Sequence, residues 1–98
     1  MMVQDDVVKI IYAAIDEVNV LVAEDEQIPK TKTTPLIGDG ATVNSLGLIN
    51  LLVALEQQVE TVLGNVVILT QDDVLLQPDG PLKTVGSLAD YMLTLLDG

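Results

Sequence analysis

The sequence predicts an all-α fold, a four-helix bundle of three longer helices and one short helix with a long first connection. Three observations carry this. Apolar residues recur at helical spacing in three separate stretches. The single short run that reads as a strand has no partner to pair with. And 98 residues, 49% of them hydrophobic, suffice for one core, so residues 1–98 are expected to form one domain.

The first helix is expected over residues 5–22. Val7, Ile11, Ile15, Val18 and Val22 form its stripe, widened by Val8, Ala14 and Leu21. Asp5 and Asp6 stand at its start, where the helix dipole favours negative charge. Residues 23–44, "AEDEQIPKTKTTPLIGDGATVN", then make a connection that is long for so small a domain. Leu36 and Ile37 are the residues expected to pin it to the core. The second helix is expected over residues 45–63, with Ile49, Leu52, Leu55 or Glu56, Val59 and Leu63 as its stripe. Gly64-Asn65 stops it.

Residues 66–69, "VVIL", read as an extended apolar segment that anchors a loop. A short helix is expected to start at Thr70, "TQDDVLL", with Asp73 as a weak capping-box partner, and "QPDGP" breaks it. The last helix is expected over residues 84–96. Its stripe is Val85, Leu88, Met92 and Leu95 or Leu96, and Ser87 with Asp90 offers a cap.

Composition removes several classes of function. Fifteen acidic residues face four lysines and no arginine, for a formal net charge of -11. Phosphate backbones need clustered Lys and Arg, so nucleic acid is not an expected partner. The acidic field favours basic partner surfaces, and it also serves solubility and a monomeric state. With no cysteine and no histidine, thiolate nucleophiles, Cys/His metal sites and imidazole acid–base chemistry are absent. Carboxylate clusters at Asp5/Asp6, Asp16/Glu17, Glu24/Asp25/Glu26 and Asp72/Asp73 lack metal-loop spacing and read as solvated helix ends and loops. The chain is therefore expected not to be an enzyme and to hold no metal. The N-terminus has no signal-peptide pattern, and the run Leu46–Leu55 is too short to span a bilayer. Together with the missing cysteines, this points to a cytoplasmic protein without membrane insertion.

The informative stretch is "ATVNSLGLINLLVALEQQVE", residues 41–60. Asn44 and Ser45 are both good N-caps. Leu48, three residues beyond Ser45, forms no capping box. If Asn44 caps the helix, Ser45 takes the first helical position with its hydroxyl free. A phosphodiester there would meet the positive end of the helix dipole and unpaired backbone N–H groups.

These residues resemble an acyl carrier protein. "NSLGLINLLVALEQQVE" places Ser45 and Leu46 in the Asp-Ser-Leu motif at the start of the family's second helix. "IGDGATVNS" resembles the end of its first loop and "SLADYMLTLL" its closing helix. The resemblance covers nearly the whole chain. It implies a four-helix bundle of the acyl-carrier-protein type, with phosphopantetheine linked covalently to Ser45. The arm would carry acyl intermediates as thioesters in fatty acid, polyketide or related biosynthesis. It also implies partners: a phosphopantetheinyl transferase, and acyl-transferring or acyl-condensing enzymes. Asn44 and Leu46 are the motif neighbours of the attachment site. Leu46, Asn50, Val53 and Glu56 occupy the partner-facing positions.

Two features depart from the family. Asn44 replaces the motif aspartate, and an amide oxygen is a poorer ligand than a carboxylate for the transferase's magnesium. Slower modification, a need for a dedicated transferase, and no modification are the alternatives this leaves open. The acidic stripe of the second helix is also reduced. Gly47, Asn50, Val53 and Gln57 stand in it, and Glu56 remains, with Glu60 a turn later. Partner recognition is then expected to rest more on apolar contact. The competing reading is a carrier-like bundle that is never modified and acts as a binding or structural subunit.

Overall fold

Helix α1, Gln4–Asn19, is the element against which both other helices pack. Helix α2 is Ser45–Leu63 and helix α3 is Val85–Asp97, with short 3₁₀ turns at Glu24–Glu26 and Pro81–Lys83. The computed structural model describes residues 3–38, 40–41, 45–64, 66–69 and 80–97, without the side chains of residues 26, 45 and 97. Among these residues there is no strand, only an isolated bridge between Pro35 and Thr84. The all-helical class is as expected. The short helix expected from Thr70 through residue 76 lies outside the described residues.

The core is aliphatic throughout. On α1, Val7, Val8, Ile10, Ile11, Ala14, Ile15 and Val18 are buried. At 100° per residue they cover roughly 160° of the helix circumference, the width a helix needs to face two neighbours. Helix α2 contributes Leu48, Leu51, Leu52, Ala54, Leu55 and Val59, and α3 contributes Val85, Leu88, Ala89 and Met92. Leu36 is buried and Ile37 packs against the same core, so the connection is pinned where the sequence suggested.

Helix ends follow local chemistry. The Asp6 carboxylate accepts the Val3 N–H (3.1 Å), which closes a free donor at the start of α1. Gly64 ends α2 at φ 73°, and its N–H donates to the Glu60 carbonyl (2.9 Å). At α3, Thr84 and Ser87 cap each other: the Ser87 N–H donates to Thr84 Oγ1 (3.1 Å) and the Thr84 N–H to Ser87 Oγ (2.9 Å). Ser87 therefore closes a capping box from inside the helix, and Thr84 is the cap. Asp90 accepts instead from Gln4 Nε2 (2.9 Å), which links α3 to the start of α1.

Two expectations about helix extent and register are corrected, and one alternative on α3 is resolved. Helix α1 stops at Asn19, not Val22: the Leu21 N–H turns to the Val18 carbonyl three residues back (2.9 Å), and the Asn19 side chain ties this end to the connection. Its Oδ1 accepts the Ile28 N–H (2.8 Å) and its Nδ2 donates to the Ile28 carbonyl (3.1 Å). This clamp folds the connection back across the end of α1, leaving Leu21 exposed and Val22 only partly buried. On α2, Leu52, Leu55 and Val59 are buried as expected, but Ile49 is 50% exposed and Leu63 only half-buried, and Leu48 and Leu51 join the buried line. On α3, Leu96 packs on the core and Leu95 faces out. The length argument against a membrane span also changes. By length and composition alone, Leu46–Leu63 is apolar enough to cross a bilayer (mean hydropathy 1.3). Its buried residues nonetheless gather on one side, and α2 packs on α1, as in a core helix.

The segment 66–69 is neither helix nor strand. Leu69 is buried, Val67 packs on the core, and Val66 and Ile68 face out. The Leu69 N–H donates to the Glu56 carboxylate, which ties this segment to α2.

The register of α2 is testable by truncation. Leu52→Ala should cost about 2–5 kcal/mol, as for other fully buried leucines. Ile49→Ala should change stability by no more than about 0.5 kcal/mol. Urea denaturation of both variants decides, and similar losses would contradict the register described.

The exposed Asp5–Lys32 pair (2.7 Å) gives a pH test. The hydrogen bond from Lys32, then its charge, holds the Asp5 carboxyl below the ordinary carboxylate range. A depressed pKa contributes stability above the unfolded value and loses it as pH falls through the folded one. The difference in Tm between wild type and Asp5→Asn should therefore be small at neutral pH, favour wild type, and disappear as pH falls through the folded-state pKa, which lies below the ordinary carboxylate value of 3.8. A difference that persists at low pH would show that the carboxylate charge is not its source.

Candidate functional site

Burial on α1 sets which way the start of α2 faces. The buried α2 residues cover an arc of roughly 160°. Leu46, Ile49 and Val53 are centred roughly 170° from the middle of that arc, on the opposite side of the helix. They are 69%, 50% and 38% exposed. Spaced i, i+3 and i+7, they make one apolar stripe directed outward. Asn50 is exposed beside it, and Gln57 continues the face by two turns.

Ser45 is the first residue of α2, the position the sequence assigned to it. Its side chain and all of Asn44 lie outside the described residues, as does the question of which of them caps the helix. Leu46 follows directly at the head of the outward stripe. The first turn of α2 holds no acidic residue, so no carboxylate there competes with an anion for the dipole.

The four expected partner-facing residues divide. Leu46, Asn50 and Val53 share the exposed face. Glu56 is half-buried and accepts the Leu69 N–H, so its charge holds a loop rather than standing open to a partner. The exposed acid on this helix is Glu60. Asn50, Val53, Ala54 and Gln57 also form one wall of a groove of about 210 Å³, whose other wall is Glu17, Val18 and Leu21 of α1 and its end. Leu21, freed by the early stop of α1, thereby adds an apolar residue to the region. No group of three or more Asp, Glu, His or Cys side chains converges among the described residues.

Sequence reasoning assigned Ile49 to the core and so missed it at the surface. Its spacing to Leu46 and Val53 is the signal, since the three fall on one helical face. The aliphatic residues on both sides of α2 obscured it. No protein-family model matches this chain, and no curated protein or solved structure matches it.

Proposed function

We propose that this chain is an acyl carrier protein. Ser45 would take the phosphopantetheine arm and carry acyl intermediates as thioesters in fatty acid, polyketide or related biosynthesis. The observation that supports the reading most is the placement of Ser45 as the first residue of α2, at the head of the exposed stripe Leu46–Ile49–Val53. A phosphodiester on that residue would meet the positive end of the helix dipole. The stripe is where a phosphopantetheinyl transferase, and then acyl-transferring or acyl-condensing enzymes, would dock around the arm. Tethering raises the effective concentration of the cargo at each partner, which is the whole of the chain's contribution to the chemistry.

A second reading rests on Asn44 and on the reduced acidic face of α2, where Glu60 is the exposed acid. In it the bundle is never modified and binds a partner through the same apolar stripe. Exposed apolar residues grouped on one face are suited to such contact.

Intact-mass measurement after incubation with coenzyme A and a broad-specificity phosphopantetheinyl transferase separates the two. The carrier reading expects one added arm on wild type, mapped to the Ser45 peptide, and none on Ser45→Ala. Asn44→Asp should speed transfer, with a melt of each variant showing equal folding. An arm that persists on Ser45→Ala sinks the site assignment. No arm on either wild type or Asn44→Asp, with host transferases included, favours the unmodified bundle.

A further inference from the structure

A second groove runs along the α1–α2 seam, at the far end of α2 from Ser45. Its volume is about 570 Å³, and it is lined by Asp6, Lys9, Ile10 and Ala13 of α1 and by Gln58, Val62 and Leu63 of α2. The groove marks a place where the apolar seam outruns its cover. Val62 lies three residues beyond Val59 and seven beyond Leu55, in register with the middle of the buried arc of α2. Val59 and Leu55 are fully buried, yet Val62 is 58% exposed. A residue in core register with open space before it is half of a packing contact.

The charge beside this space narrows what fits. Lys30 pairs with Asp16 (2.9 Å) and Lys32 with Asp5 (2.7 Å). Lys9 makes no ion pair among the described residues and stands on the wall of the groove. The neighbouring Asp6 carboxylate accepts the Val3 N–H at the helix start (3.1 Å). Gln58 offers an amide on the opposite wall, where its Nε2 donates to Glu17 (3.2 Å). From Lys9 to Ala13 the groove follows α1 for about 6 Å at 1.5 Å per residue, enough to cover the part of a medium-length alkyl chain next to its head group.

We propose that this groove binds an unbranched aliphatic carboxylate, its chain along Ile10, Ala13, Val62 and Leu63 and its head group at Lys9. The site is non-covalent. Its α2 wall, Gln58–Leu63, lies about 20–27 Å along the helix axis from Ser45, so the proposal does not depend on modification of that serine.

Decanoate below its micelle concentration is the probe, measured by calorimetry and by amide chemical shifts of the full chain. The net charge of -11 sets a strict comparison. If the bulk field governed, the cationic decyltrimethylammonium would bind better than decanoate. At physiological salt that field is screened within about 8 Å, and the contact with Lys9 is local. The expected result is one saturable decanoate site, with shifts at Ile10, Ala13, Val62 and Leu63, and several-fold weaker binding of the cation. Lys9→Gln should weaken decanoate by about two- to five-fold, the effect of one exposed ion pair. Ala13→Phe should fill the groove and abolish binding, and Val62→Gln, at an exposed position, provides a second variant should the first not fold. No saturable decanoate binding, equal or tighter binding of the cation, or an unchanged affinity in Lys9→Gln would each overturn the proposal.

Discussion

The start of α3 is held by backbone carbonyls from the first connection, and much of the structure depends on that contact. A helix begins with four N–H groups that have no partner of its own. Here the Val85 N–H donates to the Thr34 carbonyl (3.0 Å) and the Gly86 N–H to the Lys32 carbonyl (2.8 Å). The approach is close enough that a Cβ on Gly86 would sit 3.1 Å from the Lys32 oxygen, so a side chain there would require that carbonyl to give by a few tenths of an ångström. The same short segment is fixed in place from below. Thr34 is buried, and its hydroxyl donates to the Pro29 carbonyl (2.8 Å) while bonding to Thr31 Oγ1 (2.8 Å). Lys32 reaches Asp5 and Gln4 at the start of α1. One stretch of connection thus joins the beginnings of two helices, and Leu36 beside it enters the core.

This junction makes the long connection part of the folded unit. Its near end is clamped at Ile28 by Asn19, and its middle is docked on α3. Helix α2 then starts beyond the docked stretch and lies against α1. Because the buried arc of α2 is spent on α1 and the core, its opposite side is exposed. The Leu46–Ile49–Val53 stripe and the Val62 groove are two separate consequences of the same packing, on different sides of one helix.

What was legible in the sequence was whatever depends on neighbouring residues. The bounds of α2 follow from a capping serine or asparagine at one end and Gly64 at the other. The pinning of the connection by Leu36 and Ile37 follows from two apolar residues in a polar stretch. Less legible was anything set by a partner distant in the chain. The end of α1 is clamped by the Asn19 amide meeting Ile28, nine residues on, and nothing in the local spacing marks that. The carboxylate of Glu56 looked like surface charge until Leu69 was seen to donate to it. Ser87 looked like a cap by residue type, but Thr84 holds the capping position and Ser87 answers it. The register of α2 was hard to read for a different reason. Apolar residues occupy both its faces, so spacing alone supported Ile49 as well as Leu48. At the candidate site, Leu46, Asn50 and Val53 are exposed on one face of α2, while Asn44 lies outside the described residues.

The central claim is that the connection docked on α3 belongs to the cooperative core. Native-state hydrogen exchange of the Val85 and Gly86 amides tests it most directly. Both lie in the first turn of a helix, where amides commonly exchange through local fraying. If the Thr34 and Lys32 carbonyls hold them as described, they should exchange only through global unfolding, with the same free energy as the amides of Leu52 and Leu55. Rapid exchange at Val85 and Gly86 while those α2 amides stay protected would contradict the account.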